Sequence, residues 1–235
     1  MSKTKTVYWS PRLSQVQGEN HWNMLFIEPQ RLLNKFVEDT TGSKDDRIKN
    51  LKRCPSFVNL GKNTFYIENP MTNEFSVTNG QIDHKEGSMF MHYEGGDTIA
   101  YGLSYLFFCE DDLELMLTGP YFSETKYDKY AKLIPGRFNI SKWFRPVNIE
   151  MLCVSKDKHF RVEEHEHLAY FNFLTDDKVV LKRFDTNETL RKLSNTCATV
   201  SGWWKDVPLI KRYDRFLKTK TNKVVMAEIK KQLVE

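Results

Sequence analysis

Between residues 62 and 184 several runs place apolar side chains at alternate positions, and this period of two constrains the chain more than any other feature of it. Leu113, Leu115 and Leu117 alternate with Glu114 and Met116; Ile149, Met151 and Cys153 alternate with Glu150 and Leu152; Ala169, Phe171 and Phe173 alternate with Tyr170 and Asn172. Successive side chains of a strand point to opposite faces, so each run predicts a strand with one face on a core. Leu113, Leu115, Leu117, Ala169, Phe171 and Phe173 are expected on one core, with Glu114, Tyr170 and Asn172 pointing away from it, because a one-residue slip would invert them all. Further strands are predicted over Thr64–Glu68, 74–78, 136–140 and 178–184, separated by Asn-Pro, Asn-Gly, Gly-Pro, Pro-Gly and Asp-Asp turns. No helical pattern interrupts this stretch, which favours an antiparallel sandwich or barrel over a βαβ array.

The ends read differently. Residues 1–53 open with Trp9-Ser10-Pro11 and continue through Trp22, Leu25, Phe26 and Ile27 to Pro29, an extended arm with large apolar anchors. Leu32, Leu33, Phe36 and Val37 then fall at helical spacing, predicting a short helix over 30–37 with Pro29 at its first position. Residues 39–53 are rich in Thr, Gly, Ser and charge and are expected to form a mobile connection to a β domain over 54–185. Over 186–235 the period returns to helical. Thr186 or Asn187 is a candidate cap for a helix with Leu190 and Leu193. Asp206 and Pro208 open a second helix with Leu209, Ile210, Tyr213, Phe216 and Leu217, and Val225, Ile229 and Leu233 form a stripe on a third. These helices are expected to dock on the β domain through Tyr213, Phe216, Val225, Ile229 and Leu233, since a lone helix of this length is marginal in water.

Charge narrows the partners. The whole chain has 35 Lys and Arg against 31 Asp and Glu, yet residues 205–235 alone carry a net +5, leaving the other 204 residues at −1. An electrostatic partner is therefore sought first at 211–231, where Lys211, Arg212, Arg215, Lys218 and Lys220 interleave with Tyr213 and Phe216. A solvated helix face is the expected reading and nucleic acid the alternative. The longest stretches free of Asp, Glu, Lys and Arg, Thr98–Cys109 and 193–204, are 12 residues each, so no membrane crossing is expected. The first residues contain no apolar signal segment, which points to the cytoplasm. Cys54, Cys109, Cys153 and Cys197 are 44 to 55 residues apart and read as reduced structural thiols rather than a zinc site.

Chemistry-bearing patterns are few. His165-Glu166-His167, preceded by His159, Glu163 and Glu164, would chelate a divalent metal if both outer histidines stood on one strand face. Cupin-type oxygenases use that geometry with a Glu a few residues on, whereas here Leu168, Ala169, Tyr170 and Phe171 follow. No cofactor is expected on this reading; if a metal binds, His165, His167 and His159 are its candidate ligands. Asp83-His84 and His92 are expected in loops around Gly87, Gly95 and Gly96. Neither phosphate-loop glycine pattern occurs, nor a G-x-S-x-G elbow. Trp143, Phe144 and Arg145 beside Pro146, and the pair Trp203-Trp204, are the residue types of a binding hot spot, with a buried corner anchor as the alternative.

Cys54-Pro55-Ser56-Phe57, Lys62-Asn63-Thr64-Phe65, Phe75-Ser76-Val77-Thr78-Asn79-Gly80, Pro135-Gly136-Arg137-Phe138-Asn139-Ile140 and Lys142-Trp143-Phe144-Arg145-Pro146 together resemble an uncharacterised family of T4-like tailed phages of marine and cyanobacterial hosts. The resemblance implies a viral source, a location in the infected cytoplasm or on the virion, and no mechanism. A more distant likeness is to the β-clip fold of the dUTPase type, through Leu117-Thr118-Gly119-Pro120, the strands at 136–138 and 149–153, and the acidic turn at 163–166. The catalytic pattern of that fold is not kept: Tyr121-Phe122-Ser123 stands where an Arg-Ser-Ser grip is expected, and Phe138-Asn139-Ile140-Ser141 lacks the Asp and Tyr of its base site. The expectation is a mainly β protein, an antiparallel β-sandwich or β-clip-like barrel with peripheral N- and C-terminal helices. Its expected role is an accessory phage protein that works by protein binding or homo-oligomeric assembly. A cupin-like metal oxygenase or a β-clip nucleotide-processing enzyme is the alternative.

Overall fold

The structure, a computed structural model, describes residues 3–13, 27–39, 53–78, 81–86, 91–95, 97–154, 159–198 and 207–234. The chain runs β1 (Thr4–Leu13), β2 (Gln30–Arg31), α1 (Leu32–Asp39), α2 (Pro55–Lys62), β3 (Thr64–Glu68), β4 (Asn73–Thr78), β5 (Gln81–Glu86) and β6 (Met91–Gly95). It continues with β7 (Thr98–Cys109), β8 (Glu114–Thr118), a 3-10 turn (Tyr127–Lys129), β9 (Ala131–Leu133), β10 (Gly136–Asn139), β11 (Pro146–Cys153), β12 (His159–Val162), β13 (His167–Phe173) and β14 (Lys178–Arg183). Three helices close it: α3 (Glu188–Ala198), α4 (Leu209–Lys218) and α5 (Thr221–Lys231).

The strands form three sheets. The first has the order β14-β1-β7-β11-β9, with β6 sharing the β1 side of β7; the second is β10-β8-β13-β3-β2; the third is β12-β4-β5. All pairings are antiparallel except β1 with β14. The fold is mainly β, as the alternation predicts, and β1 stands inside the first sheet between β14 and β7.

β7 explains how the layers stack. Residues 99–109 are all buried, which a strand allows only when both of its faces are covered. Its odd-numbered side chains, Ile99, Tyr101, Leu103, Tyr105, Phe107 and Cys109, enter the main core with residues of the second and third sheets. Leu106 and Phe108, on the opposite face, enter a second core with Phe184, Leu190, Cys197, Phe216, Val225, Met226 and Ile229. The first sheet is thus the middle layer, with the other sheets on one side and the C-terminal helices on the other.

All six residues expected to share a core do so. The opposite face of β13 is not water, however. Tyr170 packs with Leu32 and Tyr66 in a small separate cluster flanked by Phe122, and Asn172 is buried among hydroxyls and backbone. Asn172 Oδ1 accepts from Thr64 (2.8 Å) and Tyr121 (2.7 Å), while its Nδ2 donates to Thr118 Oγ1 (3.0 Å) and the Met116 carbonyl (3.2 Å).

Local expectations shift in four places. Pro29 does not open the N-terminal helix, because Gln30 and Arg31 first pair with Tyr66 and Phe65 and the helix starts at Leu32. Residues 55–62 form a helix, α2, with Pro55 in its first turn; its Gly61 lies against Leu33, where an added Cβ would be 2.6 Å from Leu33 Cδ2. His84 and His92 stand on strands rather than in loops, paired with Phe75 and Ala100. The last stripe ends early: α5 stops at Lys231, and Leu233 forms a β-bridge to Phe184 and is half-exposed.

Candidate functional site

The helical layer is where the apolar pattern and the burial disagree. Asn187 caps α3, its Oδ1 accepting from the Leu190 N–H at 2.9 Å. Pro208, with ψ 143°, starts α4, and Lys220, in the left-handed region at φ 55°, turns the chain from α4 into α5. Phe144 is fully buried and stands edge-on to Phe108 at 5.9 Å. Trp143 is half-buried against Tyr213 (6.1 Å) and Phe216 (6.0 Å) of α4. The half-buried Arg145 donates from Nε to the Pro146 carbonyl at 3.4 Å. Trp143 and Phe144 thus fasten the helical layer to the outer face of the first sheet. Trp203 and Trp204 lie outside the described residues.

What this attachment leaves over is an apolar row. In α4 only Phe216 is fully buried, whereas Leu209 is 48%, Leu217 37% and Ile210 64% exposed. Ile210 and Leu217 are seven residues apart and share one helical face, with Tyr213 between them. Val224, on α5, is also exposed. Beside this row Lys211, Asp214, Arg215 and Lys218 all reach solvent. Tyr213 and Phe216 are turned onto Trp143, so the aromatics read between the lysines and arginines do not form a base-stacking platform.

The three candidate metal histidines do not converge. His165 lies in a turn at φ 63°, exposed, with Nδ1 3.4 Å from Glu68 Oε2 and Nε2 3.6 Å from Glu164 Oε1. His159 pairs with Glu74 at 3.7 Å and meets the Tyr130 ring edge-on. His167 opens β13 and is buried, its ring stacked on Tyr66 at 4.3 Å and 18°. The two-residue chelate requires His165 and His167 on one strand face; the left-handed turn at His165 breaks that premise. Among the described residues no group of three or more His, Cys, Asp or Glu is placed to hold a metal ion.

His167 instead joins side chains that spacing does not reveal. Its Nδ1 is 2.7 Å from Ser123 Oγ and 3.1 Å from the Tyr170 hydroxyl, and those two oxygens are 3.1 Å apart. Burial pushes the Tyr170 phenol up to about 12. Ser123 comes from the segment after β8, 44 residues before His167, and no local motif links the two.

Among the described residues no helix is long and apolar enough to cross a membrane. Comparison of the chain with protein-family models, with curated proteins and with solved structures finds no match in any of the three.

Proposed function

We propose that this chain is an accessory phage protein that acts by binding and assembly, and that its contact face is the outer row of α4. The observation that carries the reading is the exposure of Leu209, Ile210 and Leu217 on a helix whose anchor, Phe216, is buried. Single apolar residues scattered on a surface need no explanation, but Ile210 and Leu217 repeat along one helical face beside a buried anchor, with Leu209 at its edge, which is the pattern of a protein contact. The occupant is a second copy of the chain. Asp214 lies on the same helix as Lys211 and Lys218, so the face carries both signs of charge, which a self-complementary two-fold contact needs. The phage source rests on the motif resemblance alone and puts the protein in the cytoplasm of the infected cell or on the virion.

Sedimentation velocity over two decades of protein concentration tests the proposal. The wild-type chain is expected to associate by mass action, and the double substitution Ile210→Lys with Leu217→Lys to abolish association while leaving Tm at the lowest concentration, where the wild type is monomeric, nearly unchanged. A wild-type chain that stays monomeric throughout overturns the self-assembly reading.

A further inference from the structure

We propose that Ser123 is a nucleophile activated by His167, with Tyr170 as a hydrogen-bond donor to its oxygen, and that the pair supports acyl transfer from small activated carboxylic esters to water. The site is separate from the α4 face and does not depend on it.

The geometry is that of a positioned base and nucleophile. Ser123 Oγ and His167 Nδ1 are 2.7 Å apart, within reach for direct proton transfer. The imidazole is fixed from a third side by the stacked Tyr66 ring at 4.3 Å. The segment bearing Ser123 is pinned on either side of it. Upstream, the Tyr121 hydroxyl donates to Asn172 at 2.7 Å, and downstream Glu166 Oε1 accepts from the backbone N–H groups of Lys126 and Tyr127. The Tyr127 hydroxyl donates to the Leu168 carbonyl at 3.0 Å, so the segment is tied to the strand that carries the histidine.

Proton counting separates this trio from an ordinary satisfied core histidine. A neutral imidazole nitrogen that accepts takes one hydrogen, yet two hydroxyls converge on Nδ1. In the tautomer with Nδ1 as acceptor, the Ser123 hydrogen goes to Nδ1 across the shorter contact and the Tyr170 hydrogen is left for Ser123 Oγ. Burial keeps Tyr170 protonated at every ordinary pH, so it remains a donor. The phenol thereby holds Ser123 Oγ from one side while its proton leaves toward His167 on the other. Of the three groups Ser123 is the one that reaches solvent, since His167 is 7% and Tyr170 0% exposed. Tyr170, which contacts Ser123, packs with Leu32, Tyr66 and Phe122, so the neighbouring surface is apolar and suits an uncharged acyl group.

The step is a balanced addition and elimination. Ser123 Oγ bonds to the ester carbonyl carbon as its proton passes to His167 Nδ1; the tetrahedral adduct collapses, the bond to the leaving oxygen breaks, and the imidazolium protonates the departing alcohol. Water then repeats the sequence on the acyl-serine, releasing the acid and restoring the hydroxyl.

The test uses the full chain with a fluorophosphonate probe and p-nitrophenyl acetate, read by peptide mass spectrometry and by p-nitrophenol release. The expected result is a single adduct on Ser123 together with steady release of p-nitrophenol. Ser123→Ala should abolish the adduct, and His167→Gln should slow labelling by about 100-fold or more, with Tm recorded for each variant. Absence of a Ser123 adduct in the wild-type chain, or adducts on other residues only, overturns the proposal, whatever the variants do to folding.

Discussion

Replacing Phe171 by Ala probes the main core at its centre. Phe171 is fully buried on β13, paired with Phe65 of β3 on one side and Leu117 of β8 on the other. Its ring stands edge-on to Phe107 at 4.9 Å and to Tyr105 at 5.5 Å, both on β7 across the core. Deleting a buried Phe ring costs about 3–5 kcal/mol, from lost transfer energy and from the cavity that remains. Two edge-to-face partners lose favourable contacts as well, each worth about 0.5–1.5 kcal/mol, which places this site at the upper end of that range. For a chain of this size that corresponds to a drop in Tm of roughly 10–15 °C. Urea melts should show the midpoint falling with the slope unchanged, because the same surface is exposed on unfolding. Tyr170→Phe, one residue along on the opposite face, removes only a hydroxyl from the trio with Ser123 and His167 and should cost about 1–2 kcal/mol. A loss below about 1 kcal/mol for Phe171→Ala, or equal losses for the two, would refute the two-faced reading of β13.

Deleting residues 220–235 should destabilise the whole chain, because it removes the buried Val225, Met226 and Ile229 and uncovers Leu106, Phe108 and Phe184; at roughly 1.5–3 kcal/mol for each buried side chain the loss rivals a typical total stability, and unchanged melting of the truncated chain would show the helices to be an appendage. Acid should also destabilise it. Lys142 and Asn139 hold the Asp112 carboxyl below its ordinary value, Arg161 does the same for Glu163, and Lys231 with Asn187 for Glu228. Carboxyls depressed in the folded state give stability that is complete above the unfolded value, about 4, and is lost as pH falls through the folded one. Tm is therefore expected to decline from about pH 5 downward, less steeply in Asp112→Asn; an unaltered acid limb in that variant would remove Asp112 from the account.

The alternation made β8, β11 and β13 readable because each has one face on the main core and a contrasting face behind it. β7 lacks that contrast. Its even-numbered Leu106 and Phe108 are as apolar as its odd-numbered neighbours, since helices cover them, so the longest strand shows only as an uncharged run. α2 was not expected within 54–185, yet Pro55 fits a first helical turn and Gly61 leaves room for Leu33 to lie against the helix. His165 and His167 invited a strand reading by spacing, and the conformation at His165, which no spacing encodes, removes it. The Ser123–His167 contact depends on how one segment crosses the outer face of β13, so it is a product of tertiary structure alone.

The two-sided burial of β7 also bears on where function can reside. A strand shared by two cores couples them, so substitutions at Leu106 or Phe108 act on the helical layer and those at Tyr105 or Phe107 on the sheet pair, yet all load the same backbone. Trp143 and Phe144 extend that coupling to α4, which makes them poor candidates for a contact that forms and breaks, since releasing them would open the second core. The residues free to engage another molecule are those that neither core needs. Among the described residues of the helical side, Leu209, Ile210, Leu217 and Val224 are of this kind, and their exposure leaves the packing of Phe216 intact. On the sheet side the proposed site is at Ser123, which is half-buried and held by its neighbours on β13. Both sites lie on the outer surfaces of the layered structure, where substitutions can alter binding or chemistry at little cost to the fold, and that separation lets the two proposals be tested one at a time.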